Sequence, residues 1–129
     1  MVGSVTPFLM FQGEAEAAMN FYAEVLGAEI LALDRHGPGS GAEGKVLKGL
    51  IRVAGQTVRC FDSPVKHAFT FTPASSLFVE CESEDEIRRL AHALGQGGGE
   101  LMPLAAYGFS HLFAWVNDRF GVSWQLNWG

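Results

Sequence analysis

The feature that most constrains this chain is an internal echo. GAEILAL at Gly27 to Leu33 returns as GGELMPL at Gly98 to Leu104, 71 residues later, and each copy follows a helical stretch and a glycine. FLMFQGE from Phe8 likewise precedes the first helical stretch as LFVECES from Leu77 precedes the second, 69 residues later. Elements that recur in one order at a near-constant spacing describe two copies of one unit, so the fold must be one that assembles two such copies.

Periodicity supplies the content of the unit. In GEAEAAMNFYAEVLG, Ala18, Phe21, Tyr22, Val25 and Leu26 recur at helical spacing, Glu14 and Glu16 suit the positive end of a helix, and Gly27 supplies a stop. In SEDEIRRLAHALG, Ser83 and Glu86 make a capping box, and Ile87, Leu90, Ala91 and Leu94 make the apolar stripe. Glu84/Arg88 and Asp85/Arg89 are spaced for ion pairs one turn apart, and Gly95 ends the helix. Short apolar runs predict strands over Val5 to Gln12, Ala28 to Arg35, Val46 to Val53 and Gln56 to Asp62 in the first half. The second half repeats them over Ser76 to Cys81, Gly99 to Leu104, His111 to Asn117 and Val122 to Trp128. HGPGSGAEG reads as a flexible loop, AGQ as a tight hairpin and NDRFG as the last turn. The chain is therefore one domain, residues 1–129, with βαβββ units over 4–62 and 76–129 and a connector over 63–75.

Composition narrows the partners. A chain of 129 residues can bury one core without staples, and no apolar run approaches the roughly 20 residues of a membrane span. The N-terminal stretch lacks the basic start and apolar run of a signal peptide. A formal charge of −5 and a pI near 5.2 argue against nucleic acid and anionic membranes, leaving small molecules and protein as partners. Cys60 and Cys81 lie in apolar strand-like runs, as reduced buried thiols do, so a cytoplasmic protein is expected.

The last strand raises the functional question. Val122, Trp124, Leu126 and Trp128 share one face, while Ser123, Gln125 and Asn127 share the other, which is polar yet uncharged. Neutral amides and hydroxyls suit a partly enclosed face that must hydrogen-bond something. Other chemistry-bearing residues read more plainly. His36 and His92 are expected to face solvent without a chemical role. His67 alternates with Phe69 and Phe71 and, if extended, shares a side with them; His111 shares a side with Phe113 and Trp115, and both histidines suit a structural or interface role better than catalysis. Asp62 stands at a strand end as a turn cap, the direction of Glu80 is open, and Asp118 opens the final turn, so none makes a convincing acid or base. GQGGGE follows a helix and precedes a strand, the reverse of the order that lets a helix N-terminus hold phosphate.

A duplicated βαβββ unit of this length resembles the vicinal oxygen chelate superfamily of glyoxalase I, bleomycin resistance proteins and extradiol dioxygenases. FQGEAEAAMNFYAEVLGAEI, HAFTFTPASSLFVEC and DRFGVSWQLNW look like its PhnB-like branch, often labelled demethylubiquinone 3-methyltransferase-like. The resemblance implies an α+β fold: two units curled into an open, cup-shaped mixed sheet with helices outside and the ligand on the concave face. It also implies metal ligands on the first, fourth, fifth and last strands. Here those strands offer Phe8 and Met10, Arg59 and Cys60, Ser76, and Gln125, of which only Gln125 is a plausible ligand. A catalytic zinc needs about three protein ligands, so no metal and no cofactor are expected. Gln125 is then expected to point into the cup, with Ser76, Cys60, Trp115, His111 and Phe69 as further lining residues. The leading reading is a metal-independent small-molecule binder. Its rivals are a lyase or dioxygenase-type enzyme with a degenerate metal site, a protein that carries the methyltransferase label without methyltransferase chemistry, and a protein-interaction module. The aromatic stretch KHAFTFTPASS predicts a homodimer.

Overall fold

In the computed structural model, which describes residues 1–129, the chain divides into two compact units, Met1–Ala68 and Phe69–Gly129. The division falls inside the stretch read as a connector. The first unit runs β1 (Phe8–Phe11), α1 (Ala15–Leu26), β2 (Glu29–Arg35), β3 (Val46–Val53) and β4 (Gln56–Asp62); the second runs β5 (Leu77–Glu80), α2 (Glu84–Gly95), β6 (Gly99–Tyr107), β7 (Ser110–Asn117) and β8 (Ser123–Trp128). Each is βαβββ with a four-stranded mixed sheet, ordered β1-β4-β3-β2 and β5-β8-β7-β6. In both, the first strand lies parallel to the last and the other pairings are antiparallel. The expected α+β class and duplicated unit are what the chain adopts.

Each helix covers one face of its own sheet. Ala15, Ala18, Met19, Phe21 and Tyr22 are the buried side of α1, and Gly49 of β3 lets that helix approach closely. A Cβ there would stand 2.8 Å from both the Met19 sulfur and the Cys60 carbonyl oxygen, so no larger residue fits without displacing backbone. In the second unit Ile87, Leu90 and Leu94 are the buried side of α2, and Gly95 sits against Val116 of β7. Val116 pairs with Trp124, so Trp124 and Leu126 face the helix and Ser123, Gln125 and Asn127 face away, as the alternation predicts.

The helices begin by different means. Ser83 accepts a hydrogen bond from the Glu86 amide at 3.1 Å, and Glu86 accepts one from the Glu82 amide at 3.0 Å, the reciprocal box read from the sequence. Glu84 and Arg88 form the expected ion pair at 2.8 Å. For α1, Glu14 makes no side-chain cap. Asp62, far along the chain, does that work: its carboxylate accepts from the amides of Gly13 at 2.7 Å, Ala15 at 3.0 Å and Val46 at 2.9 Å. Gly27 closes α1 in the left-handed conformation, φ 69°, that suits glycine.

Several local expectations are corrected. His36 is not solvent-facing: it is 8% exposed, its Nε2 lies 2.8 Å from the Asp62 carbonyl oxygen and its ring packs against Phe61. A loop rich in glycine hid this, because the contact depends on where the loop returns rather than on local pattern. Between β4 and β5, where the sequence predicts no strand, His67 to Phe71 form none; the His67 ring bonds Ser63 at 3.1 Å, and Phe69 is exposed. β6 continues past Leu104 to Tyr107, since it is an edge strand where Pro103 removes no ladder hydrogen bond that the sheet needs. No helix is long and apolar enough to cross a membrane.

Candidate functional site

The helix-free face of the second sheet brings the polar residues of β8 together with aromatic neighbours. Three rows follow from the pairing. Ser76 lies beside Ser123, which is opposite Asn117; Phe78 pairs with Gln125, which is opposite Trp115; Glu80 pairs with Asn127, which is opposite Phe113. Met102 of β6 extends the middle row beyond Trp115. Gln125 thus sits at the centre, half-buried, between an aromatic ring on each side.

Most of the surrounding polar groups are already satisfied. The Trp115 indole N–H donates to Ser123 Oγ at 2.8 Å, and Ser123 Oγ lies 2.7 Å from Ser76 Oγ. Asn127 donates to Glu80 at 2.9 Å, which settles that Glu80 stands on this face as a hydrogen-bonded acceptor. The rings of Phe78, Tyr107 and Phe109 surround Phe113, with centroids 6.4, 6.1 and 5.0 Å from it, and leave it 4% exposed. Two groups differ. The Gln125 amide is not among the side chains hydrogen-bonded within the sheet. Asn117 Oδ1 is buried with no hydrogen-bond partner. An unmet buried acceptor costs about 1–3 kcal/mol, which sets Asn117 apart from the satisfied polar groups around it. Asn117 escaped sequence reasoning, although its position two residues beyond Trp115 on the same strand face was the available signal.

The other expected lining residues are dispersed. Ser76 and Trp115 are on this face with Gln125. Cys60 belongs to the first unit and points to α1: it pairs with Gly49 on the helix side and is 1% exposed. Burial, with the Asp62 charge beside it, pushes its thiol up to about 12, so it is an inert core group. The residue of β4 that faces away from the helix is Arg59. His111 lies at the exposed start of β7 with its ring edge-on to Trp128 at 5.7 Å, and Phe69 is 62% exposed outside any strand. Asp62 and Asp118 are both structural. Asp118 accepts from the amides of Phe120 and Val122 and from the Trp124 indole at 2.9 Å.

A cleft of about 530 Å³ lies elsewhere, beside α1, lined by Glu16, Asn20, Glu43, Lys45 and Asp62 among others. Two of its carboxylates are committed to structure: Glu16 holds Arg35 through two bonds of 2.7 and 2.9 Å, which keep its carboxyl below the usual range, and Asp62 caps the helix. No aromatic ring lines it. The Gln125 face remains the better candidate because it combines apolar surface with unmet polar groups.

The metal chemistry of related folds does not fit the residues present. No group of three or more His, Cys, Asp or Glu side chains is placed to hold a metal ion, and the helix-free face of the second sheet offers a single carboxylate, Glu80, already bonded to Asn127.

Comparison with known proteins agrees with the fold. The family described as 3-demethylubiquinone-9 3-methyltransferase matches residues 3–127. A PhnB protein from Bacillus cereus is 49% identical, with 98% of this chain and 99% of that one covered and a TM-score of 0.93. YjdN of Escherichia coli is 24% identical over 138 residues, 95% of this chain and 93% of its own length. The fosfomycin resistance protein FosX of Listeria monocytogenes, solved with Mn(II), is 10% identical with a TM-score of 0.70 over 98% of this chain and 93% of that one, a likeness of fold alone.

Proposed function

Because the chain belongs to the 3-demethylubiquinone-9 3-methyltransferase family of the vicinal oxygen chelate superfamily, we propose that it is a small-molecule-binding protein that holds its ligand without a metal. The observation that carries the proposal is the pairing of the half-buried Gln125 amide, bracketed by Phe78 and Trp115, with the partnerless Asn117 oxygen on the same face. An amide between two rings can donate and accept at once while the rings cover an apolar body. The ligand favoured by this face is neutral, flat and equipped with at least one hydrogen-bonding group. Methyl transfer has little support, since both units are βαβββ with mixed sheets and neither is the doubly wound parallel unit that holds an S-adenosylmethionine methyl donor.

We further propose a homodimer, supported by the large exposed apolar residues Phe69 and Val65 in the stretch that also holds KHAFTFTPASS. The buried thiols of Cys60 and Cys81 support a cytoplasmic setting. Native mass spectrometry of protein purified without denaturation tests the main reading. A co-purifying neutral molecule lost in Gln125→Ala is the expected result. A stoichiometric divalent ion that survives dialysis would replace it with a metalloenzyme.

A further inference from the structure

We infer that Arg59 marks a second contact position, in the first unit, for an oxyanion carried on a flat apolar body such as an aromatic carboxylate. The inference rests on the reading above only in taking the helix-free sheet faces as ligand surfaces, and it gives the first unit a charged ligand where the Gln125 face takes a neutral one. It comes from the register of the two sheets. Phe78 pairs with Gln125, which is opposite Trp115, and Phe8 pairs with Arg59, which is opposite Leu50. Arg59 and Gln125 thus both stand on the last strand of their unit, facing away from the helix and beside a first-strand phenylalanine. Both phenylalanines are 56% exposed.

The surroundings of Arg59 lack the counter-charge that the paired arginines have. Arg35, Arg52 and Arg88 hold carboxylates at 2.7, 3.1 and 2.8 Å, and no acidic side chain lies within ion-pair distance of Arg59. Its cross-strand neighbours are Phe8 and Leu50, and its same-face neighbours along β4 are Thr57 and Phe61. The Phe8 and Phe61 rings lie 5.7 Å apart at a tilt of 43° and flank the exposed Arg59 position in the register. Lys48 stands on the same face and likewise holds no carboxylate within ion-pair distance, so two cations on this face lack a counter-charge. In a chain of formal charge −5, a planar guanidinium kept clear of carboxylates and set among apolar groups suits a bidentate oxyanion with an aromatic body.

Heteronuclear NMR titration of the full chain with benzoate and with benzamide, its neutral counterpart of like shape, tests this. Benzoate is expected to shift resonances of Phe8, Arg59 and Phe61 saturably, to bind roughly tenfold more weakly to Arg59→Gln, and to recover part of that loss in Arg59→Lys. Benzamide binding should be indifferent to Arg59→Gln. Benzoate that fails to saturate at these residues, or binds Arg59→Gln as well as the parent chain, overturns the inference. So does a change of sedimentation state in Arg59→Gln with benzoate affinity unchanged, which would assign Arg59 to contact with a second copy. Gln125→Ala separates the two readings: weakened benzamide binding alongside benzoate insensitive to Arg59→Gln leaves the Gln125 reading standing and removes this one.

Discussion

Where the second unit sets Phe78, Gln125 and Trp115 across its helix-free face, the first sets Phe8, Arg59 and Leu50 at the same register. The helix-facing sides differ as well. Asp62 joins the start of α1 to the start of β3 through partners 47, 49 and 16 residues away, whereas the Asp118 carboxylate accepts from Phe120, Val122 and Trp124, two, four and six residues on, across its own hairpin. One backbone plan thus tolerates a charged or a neutral centre on the face that bears no core, but each unit must build its own solution where the helix meets the sheet. Core positions are constrained by packing and satisfied polar groups, as are Phe113 and the bonded Ser76, Ser123 and Trp115 on the other face, whereas the Arg59 and Gln125 positions are not.

The largest effects should come from those helix-side solutions. Trp124→Ala removes a buried ring and the indole donor to Asp118, and should cost roughly 3 to 5 kcal/mol in a denaturant titration. Asp62→Ala leaves three backbone N–H groups without their acceptor and should fall in a similar range, about 3 to 5 kcal/mol, since bonds to a charged acceptor are worth about 1.5–3 kcal/mol each and do not add fully. Asp118→Ala should cost less than Asp62→Ala because its amide partners lie only two and four residues on, so losing the carboxylate unties no helix from a distant strand. Equal losses would show that sequence separation of the partners carries no weight, and the contrast between the units would lapse.

The thiols offer a smaller and pH-dependent comparison. Burial raises Cys60 from 9.0 to about 12 and Cys81 from 9.0 to about 11. Each folded-state value lies above the unfolded one, so the stability they hold is fully present below pH 9 and is lost as pH rises through the folded value. In that window the unfolded chain is deprotonated and the folded chain is not, giving a fall of about 1.4 kcal/mol per pH unit per thiol. Denaturant titrations at pH 9, 10 and 11 should approach this slope, and Cys60→Ala should flatten it more than Cys81→Ala at the last of these, where the folded Cys81 thiol is itself losing its proton. An unchanged slope in both variants would assign alkaline loss to other groups.

Gln125→Ala is expected to act on binding alone. Loss of one neutral hydrogen bond should weaken a ligand by about 1 to 2 kcal/mol, while the melting curve moves little because no bond within the sheet is broken. A variant that unfolds would mean that the amide is needed by the fold and would invert the face assignment.

How much of this was legible in the sequence follows from the range of each interaction. The echo between Gly27 and Gly98, the periodicities and the Ser83 box are local or repeated, so the units, both helices and the direction of Gln125 could be read directly. The burial of His36 and the capping of α1 by Asp62 depend on partners from other elements and left no local trace. Cys60 and Arg59 were adjacent candidates at one position, and strand parity within β4 could not orient them until Gly49 fixed which side the helix takes.

The smallest expected effect tests the difference between local and distant capping most directly. Ser83→Ala removes the acceptor for the Glu86 amide at the exposed start of α2, and helix caps of this kind are worth about 1 kcal/mol. Because Glu86 still bonds the Glu82 amide and water can reach the freed donor, the loss should stay near that value, with Ser83→Asp restoring it. The corresponding end of α1 has no such reserve: its amide acceptor comes from Asp62 at the far end of β4, so fraying of α1 is tied to the register of the β3–β4 hairpin. Hydrogen exchange should therefore show the first turn of α2 opening alone in Ser83→Ala, while Asp62→Ala should raise exchange at Ala15 and at Val46 together. If Ala15 alone responds in Asp62→Ala, the carboxylate acts as an ordinary helix cap and the tie between helix and hairpin is absent.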